Sequence, residues 1–215
     1  MSSINPFPTF NYLQPESYRF SHDSVFLARH VFELVRLSGQ KYETFMDLCS
    51  GCGVVGLDFI YHLKTHGLDL PRTADFLEVQ EIYKNYFNLN SKKLDVESIC
   101  NFLLLNYSVL INNPFYQEKY DLIISNPPYF RSGHGAFSPD EFKNRCRFFL
   151  DATFKDLVLA IESTLNPMGV AYVLVKDLEI HGIQILEEIE RMNTRLKFKK
   201  LEKIRKTDLI EFRKN

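Results

Sequence analysis

The chain has 215 residues, of which 45% are hydrophobic and 14% aromatic, with a formal net charge of −1. That length fits one domain with a proper core, and the composition is globular rather than disordered. No apolar run is long enough to span a bilayer, and Met1–Phe10 lacks the basic and apolar regions of a secretory signal, so a cytoplasmic, non-membrane protein is expected.

Apolar runs alternate with amphipathic stretches, the mark of an α/β domain. The segment from Phe20 to Val35 reads as a helix, opened by Ser21 or Asp23 as N-cap. Thr44–Cys49 reads as a buried strand that ends at Gly51-Cys52-Gly53, and Val54–Lys64 as the helix after it. Thr73–Val79 is a second strand. Glu81–Leu94 is a helix with Ile82, Tyr86 and Leu89 spaced for one face. Cys100–Leu105 and Tyr120–Ser125 are the third and fourth strands. Phe149–Leu165 reads as one long helix closed by Asn166-Pro167-Met168-Gly169, followed by the strand Val170–Val175. Ile183–Met192 is a helix, and Leu196–Arg205 with Asp208–Arg213 a terminal antiparallel pair. The expected fold is therefore a mostly parallel, seven-stranded Rossmann-like sheet with helices on both faces and a C-terminal antiparallel hairpin.

The charge is unevenly placed. Between Arg191 and Asn215 stand ten Lys or Arg against three acidic residues, so this end carries +7 and the remainder −8. A basic end on an acidic body suits a polyanionic partner; exposed strands with solvated lysines are the alternative. Four cysteines stand at 49, 52, 100 and 146, without the second pair that a metal site needs, so neither a metal nor a disulfide framework is expected. Cys49 and Cys52 also have a redox spacing at a helix start, where a thiol pKa falls. His22, His30, His62, His66 and His181 show no metal or triad spacing.

Two motifs carry chemistry. Asp47-Leu48-Cys49-Ser50-Gly51-Cys52-Gly53 lies at a strand–helix turn, where open α/β sheets bind ligands. A tight turn that merely needs positive φ is the alternative. Glu78 ends the second strand, 25 residues past Gly53, where an acid accepts hydrogen bonds from ribose hydroxyls. The third glycine of a dinucleotide fingerprint is missing, and Asp47 would repel a pyrophosphate; both favour the cationic S-adenosylmethionine as cofactor.

Asn126-Pro127-Pro128-Tyr129 follows the fourth strand directly. A planar NH2 group is a poor nucleophile because its lone pair is delocalised. The Asn126 side-chain oxygen and the Pro127 carbonyl can each accept one of its N–H bonds, which favours a pyramidal nitrogen aimed at a methyl carbon. Tyr129 offers a stacking face, worth about 1–3 kcal/mol for a base. Pro127 and Pro128 fix the backbone. No general base is needed before attack, and alignment alone can contribute roughly 7–11 kcal/mol. A proline-rich loop that ends a strand is the alternative.

These segments resemble motifs I, II and IV of class I amino-methyltransferases. Ser125-Asn126-Pro127-Pro128-Tyr129-Phe130-Arg131-Ser132-Gly133, with Tyr18-Arg19-Phe20-Ser21-His22-Asp23-Ser24-Val25-Phe26-Leu27-Ala28 upstream, resembles more narrowly the bacterial tRNA adenine-N6 methyltransferases that act on a valine tRNA. The resemblance spans about residues 14–175. It implies that Asp47, Cys49 and the Gly51 and Gly53 backbone hold the methionine part of the cofactor, helped by Arg19, Phe20 or Asp23. Glu78 would hold the ribose, Val79 would pack on the cofactor adenine, and Asn106 would read its amino group where many relatives have Asp. Asn126, Pro127 and Tyr129 would be catalytic. Pro128, Phe130, Arg131, Lys143, Arg145 and Arg147 would meet the RNA substrate, expected to be tRNA, with phosphates around a splayed-out base. A monomer or weak homodimer is expected.

Release-factor glutamine methyltransferases share Asn-Pro-Pro-Tyr, because a carboxamide nitrogen poses the same lone-pair problem. They usually carry a helical domain ahead of this fold, and about 40 residues precede the first strand here, which counts against them. Guanine-N2 enzymes usually prefer Phe to Tyr, DNA adenine enzymes usually need a target-recognition domain, and a catalytically silent subunit would not need Asn126 and Tyr129.

Overall fold

A computed structural model of the protein describes residues 11–130, 136–176 and 185–214. Seven strands form one sheet in the order β3-β2-β1-β4-β5-β7-β6. The strands are β1 (Thr44–Leu48), β2 (Thr73–Glu78), β3 (Cys100–Leu104), β4 (Tyr120–Ser125), β5 (Leu165–Val175), β6 (Leu196–Ile204) and β7 (Thr207–Lys214). The first five are parallel neighbours, and β7 pairs antiparallel with both β5 and β6. The helices are α1 (His22–Ser38), α2 (Val54–Thr65), α3 (Tyr83–Leu94), α4 (Glu141–Arg147), α5 (Phe154–Thr164) and α6 (Ile185–Arg191).

Alternation along the strands splits the core into two layers. Phe45 of β1 packs with Phe32, Phe59 and Phe76 on the α1–α3 side. Met46 and Leu48 pack with Ile123, Leu157, Ile161 and Val173 on the α5–α6 side. Each such side chain stabilises the fold by about 1.5–3 kcal/mol when taken fully out of water. The segment ahead of α1 is pinned to this body. Tyr12 donates to the buried Asp58, and Leu13 exchanges hydrogen bonds with the side chain of Asn90.

Three expectations need correction. The expected long helix 149–165 is α5 alone. Thr153 and Asp156 form a capping box, each side chain accepting from the other's backbone N–H, and this starts the helix at Phe154. Asn166-Pro167-Met168-Gly169 then lies inside β5 as an irregularity, where the register against β4 jumps from Tyr120↔Leu165 to Leu122↔Val170. Asn166 donates to the Asp121 carboxylate there. A side chain at Gly169 would meet the Tyr120 carbonyl at 2.9 Å. The second correction is the face of α3. Ile82 and Leu89 are 49% and 53% exposed; Tyr83, Phe87, Asn90 and Leu94 point inward. Phe87 stacks near Phe76, and Asn90 reaches the Cys52 carbonyl, so a polar residue sits on the buried face. Third, Ser21 takes the N-cap position of α1 without a side-chain capping bond.

Candidate active site

A cleft of about 250 Å³ opens beyond the carboxyl ends of β1, β2 and β4. Its floor is the turn after β1. Cys49, Gly51 and Gly53 all have positive φ, which folds the chain back sharply beneath the start of α2. The turn is tied down from beside it. Glu78, at the end of β2, accepts from Gly51 N through Oε2 and from Val79 N and Gln80 N through Oε1, each at 2.9 Å. Burial pushes the Glu78 carboxyl up, and these three donors oppose that shift. A carboxylate has about four acceptor sites, so one remains open toward the cleft. Ser50 lines the cleft with its hydroxyl buried and without a hydrogen-bond partner.

Asp47 is not in the cleft wall. It is fully buried beneath the turn, accepts from Gly56 N at 2.8 Å, and is raised to about pKa 7 by desolvation. Gly53 is also behind the wall, where a Cβ would meet Leu57 and Phe87 at 2.9 Å. Both residues build the turn from beneath. The thiols of Cys49 and Cys52 are driven up by burial, Cys52 to about 12, which is the opposite of the low pKa that a redox pair requires.

Across the cleft stands the loop after β4. The Asn126 side chain is held at both ends. Its Nδ2 donates to Ser24 Oγ at 2.9 Å, and its Oδ1 accepts from the Tyr129 hydroxyl at 2.5 Å. A carbonyl-type oxygen has two lone pairs, so Oδ1 keeps one for another donor. Pro127, Pro128, Tyr129 and Phe130 continue the wall. Tyr129 N and Phe130 N both donate to the Arg147 carbonyl, and Phe149 N returns a bond to Phe130 O. This short pairing attaches the loop to the segment after α4. Lys176 lies over the rings of Tyr129 and Phe130 at 5.8 and 5.5 Å from their centroids.

The segment α4–Ala152 closes the β2 side. Cys146 Sγ contacts Gln80 and the Tyr83 hydroxyl, and Phe142 packs on Tyr18 and Tyr83. Arg145 lines the cleft and makes a two-pronged bond with Asp151 at 2.7 and 3.1 Å, and its charge joins the backbone donors in opposing the rise of the Glu78 carboxyl. Arg147 rests over Phe130 and Phe148. Asn106 lines the cleft but its side chain is engaged: the oxygen accepts from Ser108 N and the amide donates to the Asp151 carbonyl.

Of the residues expected at the site, Phe20, Asp23, Cys49, Gly51, Glu78 and Val79 line the cleft, as do Asn106, the Asn126–Phe130 run, Arg145 and Arg147. Arg19, Asp47, Gly53 and Lys143 do not, and Lys143 faces Asp140 at 3.9 Å. Arg131 and His181 lie outside the described residues. Sequence reasoning gave no role to Ser24, Ser50, Lys176 or Thr207. Ser24 and Ser50 stand within the quoted Tyr18–Ala28 and Asp47–Gly53 runs; nothing in the sequence marks the others. Of the ten basic residues from Arg191 onward, seven are ion-paired. Arg195 meets Glu162, Lys200 and Lys203 meet Asp208, Arg205 meets Asp23, and Lys214 meets Glu118; Arg191 and Arg213 meet Glu187 and Glu211. Four of these pairs reach the acidic body, at Glu187, Glu162, Asp23 and Glu118; the other three use the basic end's own Asp208 and Glu211, so positive charge stays in excess there. Among the described residues no His, Cys, Asp and Glu group is arranged for a metal, and no helix is long and apolar enough to cross a membrane.

Several solved structures share this architecture. A T. thermophilus 16S rRNA guanine-N2 methyltransferase, solved with AdoMet and guanosine, superposes with a TM-score of 0.63 at 14% identity, over 93% of this chain and 45% of that one. A citrinin polyketide synthase CMeT domain gives 0.61 at 12% identity, over 92% and 55%. The fold is that of the class I S-adenosylmethionine-dependent methyltransferases. No family model matches the chain. Among curated proteins, the class I relatives include a release factor glutamine methyltransferase of Clostridium acetobutylicum, 27% identical over 57% of this chain and 39% of its own length. A ribosomal protein uL3 glutamine methyltransferase of Neisseria meningitidis is 27% identical over 66% of this chain and 44% of its own. The chain thus spans less than half the length of these relatives.

Proposed function

We propose that this protein is an S-adenosylmethionine-dependent N-methyltransferase whose acceptor is a planar NH2 group. The observation that carries the reading is the fixed Asn126 side chain at the mouth of β4, facing across one cleft the glycine turn and Glu78. The cleft suits the cofactor chemically. Glu78 has an open acceptor site for a ribose hydroxyl, and Ser50 offers an unpartnered buried hydroxyl beside the Gly51 backbone for the methionine end. Val79, Leu105 and Tyr107 provide an apolar setting for adenine. When bound, the cofactor supplies a methyl group on a sulfonium leaving group.

Asn126 Oδ1 and the Pro127 carbonyl each accept one N–H bond from the incoming NH2. This draws the nitrogen out of conjugation and presents its lone pair. Tyr129 and Phe130 pack against the plane of the group, and α4 with its following segment excludes water from the Glu78 side. The product nitrogen loses its extra proton to water. Rate acceleration comes from alignment rather than from proton abstraction.

A glutamine carboxamide in a protein is the acceptor that the curated relatives favour. Adenine N6 in RNA, with tRNA first, is the second reading. It rests on the Tyr18–Ala28 segment, which the structure brings against Asn126 through Ser24, and on the aromatic wall of Phe130, Phe148 and Phe137. Methyl-labelled cofactor incubated with separate pools of tRNA, ribosomal RNA, DNA, release factor and ribosomal protein decides between them. Label in protein alone supports the first and excludes the second. Absence of label in every pool, together with no cofactor binding by calorimetry, would refute methyl transfer.

A further inference from the structure

An acceptor-positioning role for Asn126 requires its amide to point one way round. Oxygen facing the incoming NH2 attracts it; the flipped amide would set one N–H group against another. A carboxamide is nearly symmetric in shape, so packing alone does not choose, and hydrogen bonding must. The structure supplies such bonds at both ends of the amide. The Tyr129 hydroxyl donates to Asn126 Oδ1. Asn126 Nδ2 then donates to Ser24 Oγ in the first turn of α1, where Ser24 is 6% exposed. Asp23, next in sequence to Ser24, is ion-paired to Arg205 in the β6–β7 turn at 3.3 Å. That contact closes the loop between the two ends of the chain.

We infer that Ser24 is a positioning residue that sets the polarity of the Asn126 amide. The inference rests on the proposed role of Asn126. The Tyr129 hydroxyl donates to Asn126 Oδ1, and only an amide with oxygen toward Tyr129 can accept that proton. Ser24 receives the amide N–H at the other end and removes the reason to rotate. Ser24 acts through Asn126 rather than on the reacting atoms.

Ser24→Ala tests this in the full chain. It is expected to lower kcat by about tenfold, the size of one hydrogen bond held in a desolvated site. The Kd for S-adenosylhomocysteine is expected to stay within about twofold, because the cofactor side of the cleft is untouched. Turnover is read on bulk tRNA or release factor, whichever takes up label. Ser24→Thr keeps the hydroxyl and is expected to restore kcat. In an Asn126→Ala background, Ser24→Ala is expected to add nothing, as two members of one unit should. A readout without substrate accompanies these: the Asn126 side-chain NH2 signal in an 15N NMR spectrum, identified by its loss in Asn126→Ala, should exchange faster with water in Ser24→Ala. Unchanged kcat and unchanged Asn126 exchange in Ser24→Ala, with Asn126→Ala itself inactive, would overturn this inference and leave the enzyme assignment standing. Full activity of Asn126→Ala would instead remove the reading beneath it.

Discussion

Replacing Asn126 by alanine removes one preorganised acceptor and two internal hydrogen bonds at once. Loss of a single preorganised polar contact to the reacting group costs on the order of 10²–10³ in kcat. The fold also suffers, because the hydroxyls of Ser24 and Tyr129 each lose a partner in a part-buried setting. At about 1 kcal/mol each, that is about 2 kcal/mol, or roughly 4–8 °C in Tm for a chain of this size. The glycine turn and Glu78 keep every bond they make. Steady-state methylation, calorimetric titration with S-adenosylhomocysteine and thermal unfolding would be measured on the same sample. The expected pattern is a collapse of kcat, a modest fall in Tm and a cofactor Kd within about twofold of the parent. Equal losses of turnover and cofactor affinity, or a kcat within about threefold of the parent, would refute the placement of Asn126 on the acceptor side.

Gly56→Ala would drive a methyl group to 2.5 Å from Phe76 Cε1 and 3.0 Å from Asp47 Cβ. Phe76 is fully buried between Phe45 and Phe87 and cannot retreat, so a loss of about 3 kcal/mol and roughly 6–12 °C is expected in a thermal scan. An unshifted Tm would show that α2 slides freely. Asp47 makes the cofactor-free protein pH-sensitive. Its folded pKa is raised from 3.8 to about 7, so its contribution to stability is present at low pH and is lost as pH rises through about 7. The full shift corresponds to at most about 4 kcal/mol. Asp47→Asn is expected to flatten the fall of Tm between about pH 4 and about pH 7, and an identical slope in both proteins would contradict it. Arg145→Ala is expected to weaken cofactor binding by about fivefold through Asp151 and the Glu78 side of the cleft, with the acceptor KM unmoved. An effect on acceptor KM alone would return Arg145 to the acceptor.

The order and type of nearly every strand could be read from the chain because each buried run stops at strong punctuation. Gly51 and Gly53 end the first, and Pro127 and Pro128 the fourth. Both halves of the cleft were legible for the same reason: they are the punctuation. The face of α3 was not, because its inward positions mix Tyr83, Phe87 and Asn90, and Asn90 earns burial only through a carbonyl of the glycine turn. The irregularity in β5 was hidden as well. Asn-Pro-Met-Gly is a sound helix stop, and nothing local announces that Leu165 has already entered the sheet. The ion pairs of the basic end were not legible because several partners lie far away in sequence: Glu118, Glu162 and Asp23. Asp47 was placed in the cleft by its motif, whereas its bond to Gly56 turns it under the floor.

The strand order β5-β7-β6 has a consequence for assembly. The segment made earlier, β6, lies on the rim, and the one made later, β7, fills the gap beside β5. Until residues 207–214 are available, β6 has nothing to dock on and β5 shows a bare hydrogen-bonding edge. Trimming the chain back to Ile204 therefore forfeits two strands rather than one, and it takes Arg205 away from Asp23 in the same stroke.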